Sequence, residues 1–124
     1  MPEEQKSEEP WDDQDSVLEY DAKNNAMVAL DYGQHHENAD KVKAVVLEIV
    51  RPIWKRYKAQ IDPSLTGDAE MWALIWARRR AQYEAFKQIP WEEYTTPEKA
   101  AAFRKHILRF LPYSERQALE EAKG

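Results

Sequence analysis

Apolar side chains recur every three or four residues between positions 38 and 60. That spacing puts them on one face of an α-helix, so the pattern predicts a helix over residues 38–60. Pro52 lies inside the pattern, where it cannot donate a backbone hydrogen bond to the carbonyl of Glu48. We therefore expect a kink or a break near residues 50–52. The apolar positions are Val42, Val45, Val46, Ile49, Ile53, Tyr57 and Ile61.

A second helix is predicted over residues 69–88, with aromatic side chains on one face and alanines on another. A ridge of alanines lets a neighbouring helix approach closely, because nothing projects beyond Cβ. We expect both faces to be buried, with Trp76 in the core and Asp68 as the N-cap. The two sets are Trp72, Trp76, Tyr83 and Phe86 on the first face, and Ala73, Ala77, Ala81 and Ala85 on the second.

Capping patterns mark two helices in the last third of the chain. Thr96-Pro97-Glu98 supplies an N-cap residue, a proline at the first helical position and an acid in the first turn. The helix that it begins is expected to end at Pro112. The residues from Ser114 to Gln117 have the form of a capping box and predict a short C-terminal helix. The inner face of the first of these helices is predicted to be Phe103, Ile107, Phe110 and Leu111.

Residues 16–33 leave two alternatives open. Ser16 and Glu19 form a capping box, which predicts a helix that ends at Gly33. The apolar stretch over residues 26–30 fits an extended segment equally well. The sequence does not decide between the two.

The first 14 residues contain six acidic side chains against Lys6, and they contain few apolar side chains. Such a segment cannot bury enough apolar surface to offset the entropy lost on ordering it, so we expect residues 1–14 to be a disordered acidic tail. Helix patterns dominate the remainder. Residues 15–124 are therefore predicted to form one domain, an all-α compact bundle of four to five helices.

The composition excludes several classes of protein. The chain has 124 residues and no cysteine, which excludes disulfide scaffolds, thiolate zinc sites and cysteine nucleophiles. Its uncharged hydrophobic runs are only a few residues long, too short to cross a bilayer, so we expect no membrane partner. The acidic start, Met1-Pro2-Glu3-Glu4, is unlike a secretory signal, and we expect a cytoplasmic protein.

The charge is divided unevenly along the chain. Residues 1–21 hold nine acidic groups and one basic group, a net charge of −8, whereas residues 41–111 hold 14 basic and eight acidic groups, a net charge of +6. A basic body behind an acidic segment predicts one of two arrangements. The body presents a surface for nucleic acid, or the acidic segment folds back over the basic body.

Three basic sets on three predicted helices are the candidate nucleic-acid-binding residues. If they line one groove, they follow a phosphate backbone; if each is only the solvated outer face of its helix, they do not. Arg79 falls inside the aromatic face and has two interpretations of its own. It packs its stem on the aromatic rings, or it forms an arginine–aromatic platform for phosphate and base. The sets are Arg51, Lys55 and Lys58; Arg78, Arg79 and Arg80; and Arg104, Lys105 and Arg109.

Catalytic and metal-binding patterns are weak. His35, His36 and Glu37 are consecutive, so their side chains diverge and chelate a metal poorly. The chain has no glycine-rich phosphate loop, no nucleophile elbow and no paired base for its serines. We therefore expect no enzyme activity, no catalytic residue, no cofactor, no metal and no small-molecule substrate.

The acidic tail contains one large aromatic side chain, Trp11, followed by Asp12 and Asp13. An aromatic among acids is typical of a short partner-binding motif, in which the acids steer and the aromatic anchors. Two functions follow from these patterns. The first is a non-enzymatic accessory subunit that contacts the backbone of RNA or DNA within a larger complex. The alternative is a protein–protein adaptor or inhibitor, such as one carried by a mobile element, that acts through the tail and exposed aromatics.

Overall fold

The computed structural model of the protein describes residues 10–30 and 37–123, with side chains described over 14–30 and 37–119. These residues form five α-helices and three short 3₁₀ turns, so the prediction of an all-α fold with four to five helices is confirmed. The helices are α1 (Pro10–Ala26), α2 (Ala39–Gln60), α3 (Gly67–Phe86), α4 (Pro97–His106) and α5 (Tyr113–Lys123). The 3₁₀ turns are Met27–Leu30, Trp91–Glu93 and Ile107–Phe110.

The N-terminal helix begins earlier than the sequence predicted. α1 starts at Pro10, so residues 10–14 of the predicted tail belong to a helix, while residues 1–9 lie outside the described residues. The 3₁₀ turn Met27–Leu30 continues directly from α1. Of the two alternatives for residues 16–33, the described part is therefore helical and not extended. Three residues of that turn, Met27, Ala29 and Leu30, are buried.

α2 runs from Ala39 to Gln60 without a break at Pro52, so the break expected there is absent from this helix. Buried side chains lie on both sides of the proline, Val46 and Val50 before it and Ile53 after it. Most of the stability of a helix in a protein comes from packing of its apolar face. Because both halves of α2 contribute to one core, that packing holds the helix together despite the missing hydrogen bond.

Of the two faces of α3 that were expected to be buried, the alanine ridge is buried, whereas the aromatic face is fully buried only at Phe86. Leu74, Ala81 and Ala85 are buried, which puts the alanine ridge inside. Trp72 and Trp76 are 53% and 39% exposed, so the prediction that Trp76 lies in the core is wrong. Each tryptophan is two residues from Leu74, which is about 200° around a helix, so it points the opposite way.

The starts of the helices divide between predicted and unpredicted positions. Thr96 caps α4 as expected, with its side-chain oxygen accepting a 3.2 Å hydrogen bond from the amide of Lys99. The N-cap of α3 is Thr66, two residues before the predicted cap Asp68. The helix begins at Gly67, which has a φ of 61°. That left-handed backbone suits a residue without Cβ. α5 begins at Tyr113, one residue before Ser114.

An aromatic cluster joins the end of α3 to α4. Trp91 is fully buried and donates its indole N–H to the carbonyl of Phe86 at 2.8 Å. Its ring centroid lies 4.6 Å from that of Phe103 in an edge-on arrangement, and Phe86 lies 5.9 Å from Phe110. Edge-on and tilted ring pairs are favourable beyond the area that they bury. The helix expected to run to Pro112 ends at His106 and continues as the 3₁₀ turn Ile107–Phe110. The cluster fixes the inner face of this run, where Phe103, Ile107, Phe110 and Leu111 are buried as predicted.

Candidate nucleic-acid interface

The basic stripe of α2 lies against acidic side chains of α1. Arg51 donates two hydrogen bonds to the carboxylate of Glu19, at 2.8 and 3.0 Å, and the Nζ of Lys58 lies 2.7 Å from Asp15. The hydrogen bond from Arg51 lowers the pKa of Glu19. Two of the three cations of this stripe are therefore paired with acids of α1 that follow the predicted tail. Lys55, the third member of the stripe, is exposed and makes no ion pair with the described side chains.

The three consecutive arginines of α3 point to three different partners. Arg78 donates to the side chain of Gln14, and its burial lowers its pKa, an effect that Asp21 opposes. Arg80 forms an ion pair with Glu115 of α5. Both side chains are therefore engaged within the chain. A phosphate that bound them would have to displace these partners.

Arg79 joins α3 to the 3₁₀ turn Ile107–Phe110. Its guanidinium donates to the carbonyl oxygens of Arg109 and of Phe110, the latter at 3.4 Å. The guanidinium carbon also lies 5.2 Å from the ring centroid of Trp76 and 5.7 Å from that of Phe110, within cation–π range. Of the two interpretations of Arg79, this geometry matches the one in which the side chain packs on aromatic rings.

The basic set of α4 is split between one engaged side chain and two exposed ones. Arg104 forms a two-pronged contact with the carboxylate of Glu92, one nitrogen lying 2.7 Å from Oε1, and reaches the carbonyl of Ile89 at 3.5 Å. Its hydrogen bond lowers the pKa of Glu92 to about 2. Lys105 and Arg109 are exposed and form no hydrogen bond or ion pair through their side chains with the described residues.

Lys105 and Arg109 lie in one groove of about 370 Å³ between α4 and α5. Four of its six lining side chains are basic or histidine, and none is acidic. We call this concavity the α4–α5 groove. A second concavity of about 250 Å³ shares two of its residues and extends it to Lys99. The α4–α5 groove is lined by Ala102, Lys105, His106, Leu108, Arg109 and Arg116.

His106 forms part of the wall of the α4–α5 groove. Its ring stacks on Phe103, with the centroids 5.9 Å apart and the planes 23° apart. Burial lowers the pKa of His106, and the charge of Arg109 lowers it further. The imidazole is therefore mostly neutral at pH 7, a form with one nitrogen that can donate a hydrogen bond and one that can accept. Below its pKa it adds a fourth positive charge to the groove.

Sequence reasoning missed Arg116 and His106 as site residues. The spacing rules for helices relate residues of one helix, and Arg116 belongs to α5 whereas His106 ends α4. One feature of the sequence does connect them. Pro112 ends the preceding helical run and the chain turns back within a few residues, which brings the start of α5 beside residues 105–109. The guanidinium of Arg116 lies 5.6 Å from the ring centroid of Tyr113.

The predicted partner-binding residues Trp11, Asp12 and Asp13 belong to α1, but their side chains are outside the described residues. His35 and His36 also lie outside the described residues. Among the described side chains, no three His, Cys, Asp or Glu groups come together as metal ligands. No helix in the described ranges is long and apolar enough to cross a membrane.

The chain was compared with known protein families, with curated proteins and with solved structures, and it matches none of them.

Proposed function

We propose that this protein is a non-enzymatic accessory protein that contacts the phosphate backbone of nucleic acid through the α4–α5 groove. The observation that carries the proposal is the convergence of Lys105, Arg109 and Arg116 on one concavity with no acidic side chain in its lining. Outer faces of helices normally mix charges of both signs. A groove with three cations and no acid favours an anion, and the phosphates of nucleic acid are spaced regularly enough to meet several such cations.

The same groove lacks the side chains that read adenine and cytosine edges. No Asn, Gln, Asp or Glu side chain lines it, so guanine is the only base whose edge its cations can read directly. Arginine forks onto phosphate oxygens, and lysine acts as a point charge. Three cations give only a few phosphate contacts, so binding by this groove alone is weak and salt-dependent. The proposed setting is accordingly a larger cytoplasmic assembly, in which other subunits add contacts.

A salt titration tests the proposal. Binding of labelled single-stranded and duplex oligonucleotides is measured by fluorescence anisotropy for the wild type and for the triple variant Lys105→Gln, Arg109→Gln and Arg116→Gln. The logarithm of affinity should fall linearly with the logarithm of salt concentration. On single strands the triple variant should flatten that slope by about two units, because each phosphate contact contributes about 0.7.

Lys55→Gln is the matched control for the titration. It removes one exposed cation from α2, outside the α4–α5 groove, and leaves the ion pairs of Arg51 and Lys58 in place. The salt dependence of the control should differ from that of the wild type by no more than the slope of one phosphate contact, about 0.7 on single strands. Absence of oligonucleotide binding at low salt would overturn the proposal, and so would equal loss in the control and the triple variant.

One observation favours a second function, that of a protein–protein adaptor. Met71, Trp72 and Trp76 are 45%, 53% and 39% exposed along one side of α3. Large apolar side chains gathered on a surface are typical of a protein contact. An adaptor should retain a specific partner in the triple groove variant and lose it in Trp72→Ala/Trp76→Ala, as measured by co-purification at matched protein concentration. The nucleic-acid function predicts the reverse sensitivity for oligonucleotides.

A further inference from the structure

The exposed tryptophans of α3 are not explained by folding. Trp72 and Trp76 are one helical turn apart, on the side opposite the buried Leu74, and they are 53% and 39% exposed. No described side chain or backbone group forms a hydrogen bond with either indole N–H. The other two described tryptophans, Trp54 and Trp91, are buried, and each donates its N–H to an oxygen. Leaving large apolar rings in water is unfavourable for the free protein, so the pair has another use.

This face of α3 is joined to the α4–α5 groove by one side chain. Arg79 lies over the ring of Trp76 at 5.2 Å and donates to the carbonyl oxygen of Arg109. The side chain of Arg109 in turn lines the groove. Arg79 therefore holds the Trp76 ring and the backbone of the groove in a fixed relation. Arg79 is thus the link between an exposed aromatic surface and a residue whose side chain lines the acid-free cationic groove.

We infer that the protein selects single-stranded nucleic acid, whose bases stack on Trp72 and Trp76 while its phosphates lie in the α4–α5 groove. This inference rests on the proposed function. Aromatic rings beside a cationic groove are the two parts of a single-strand binding site, because every base has a face that stacks on an aromatic ring. In a duplex the bases are already stacked and paired, and only the phosphates are available. Charge complementarity of the adjoining groove favours a nucleic acid over a protein partner on this face.

The double variant Trp72→Leu/Trp76→Leu tests the inference, since leucine keeps apolar area and removes the aromatic ring. Binding is measured by anisotropy at one low salt concentration, using a labelled oligothymidylate and a duplex of the same length. The affinity of the double variant for the single strand should fall by about tenfold or more, given the contribution of each stacked base. Its affinity for the duplex should stay within about twofold of the wild type. Tyr20→Leu is the matched control, because it exchanges an exposed aromatic ring of α1 for leucine in the same way and should change neither affinity.

A second readout follows the rings directly. The readout uses a Trp11→Phe background, in which Trp54 and Trp91 are the only tryptophans besides the exposed pair. Oligothymidylate should quench the fluorescence of this background, and the added Trp72→Leu/Trp76→Leu exchange should abolish the quenching, because the buried Trp54 and Trp91 cannot stack on a base. This readout also shows whether the double variant keeps its fold, since Trp54 and Trp91 retain the emission of buried indoles. A single-strand affinity that the double variant leaves unchanged would overturn the inference.

The failure of this inference can be told from failure of the proposed function. If the double variant binds both oligonucleotides as the wild type does, while the triple groove variant loses both, backbone binding stands and stacking is refuted. If the double variant loses affinity for the single strand and for the duplex to the same extent, the preference for single strands is refuted. If the wild type binds neither oligonucleotide at low salt, both proposals fail, and the exposed face of α3 is left to a protein partner.

Discussion

The indole N–H of Trp54 donates a hydrogen bond of 2.7 Å to the carboxylate of Asp15, which also accepts from Lys58 at 2.7 Å. Trp54 is only 3% exposed, whereas the side chain of Asp15 is 52% exposed, so the carboxylate contacts a buried ring from the surface. Burial alone would raise the pKa of Asp15, but the hydrogen bonds from Lys58 and Trp54 outweigh burial, and the pKa is lowered. One carboxylate therefore ties α1 to α2.

The loss of this carboxylate should destabilise the fold. Asp15→Ala leaves the buried N–H of Trp54 without an acceptor, which costs about 1–3 kcal/mol in the free energy of unfolding. Urea unfolding followed by tryptophan fluorescence measures it. Glu19→Ala is the control, since the Glu19 carboxylate pairs with the 56% exposed Arg51 and accepts from no buried N–H, so its loss should cost under about 1 kcal/mol. Equal costs for the two variants would contradict the role given to Trp54.

Truncation of a buried side chain should lower the free energy of unfolding more than truncation of an exposed one. Ile107 is 1% exposed, and Ile107→Ala should cost about 2–5 kcal/mol because it leaves a cavity in the core. Trp76→Ala removes a larger side chain from the surface and should cost less than Ile107→Ala, even though Trp76 packs under Arg79. Denaturant titration of both variants measures the two free energies of unfolding. A larger loss for Trp76→Ala would mean that its ring is buried in solution.

Binding to the α4–α5 groove should strengthen as the pH falls. The pKa of His106 is lowered from its usual 6.5 by burial and by Arg109, so the imidazole gains its proton only below that pH. A bound phosphate favours the protonated ring, so affinity should rise as the pH falls through the pKa. Oligonucleotide affinity measured between about pH 7.5 and 5 checks this, and His106→Gln should flatten the profile. A profile that the substitution leaves unchanged would assign the pH dependence to another group.

Removing the acidic N-terminal segment should tighten oligonucleotide binding. Residues 1–9 carry four acids against Lys6. A tethered acidic segment competes with phosphate for basic side chains at high effective concentration. Deletion of residues 2–9 should therefore raise affinity at low salt, and the gain should shrink as salt screens the competition. The control replaces the four glutamates by glutamine in the full-length chain, and it should reproduce the gain. An effect of deletion without an effect of the glutamine variant would point to the length of the segment instead of its charge.

The positions of α2 and of the start of α4, and the inner face formed by α4 and the 3₁₀ turn after it, were predictable, because they depend on spacing and capping within a short stretch of chain. Thr96 and Ile107 are examples. The buried face of α3 was not, because two faces had apolar character and the choice depends on which neighbour supplies the core. The partners of the arginine side chains were not predictable for a similar reason. Whether Arg51 meets solvent or Glu19 depends on how α1 packs, and spacing along the chain does not contain that information.

The alanines at 81 and 85, both fully buried, imply that substitutions along α3 are tolerated very unequally. A larger side chain at either position would push a neighbouring helix away, so the requirement to fold restricts these sites to small residues. Around the helix, Trp72 and Trp76 are 53% and 39% exposed, so the requirement to fold limits the size and polarity of the side chain far less at these positions. One helix therefore has a side that packing fixes and a side on which the folded chain can change its contacts without repacking its core.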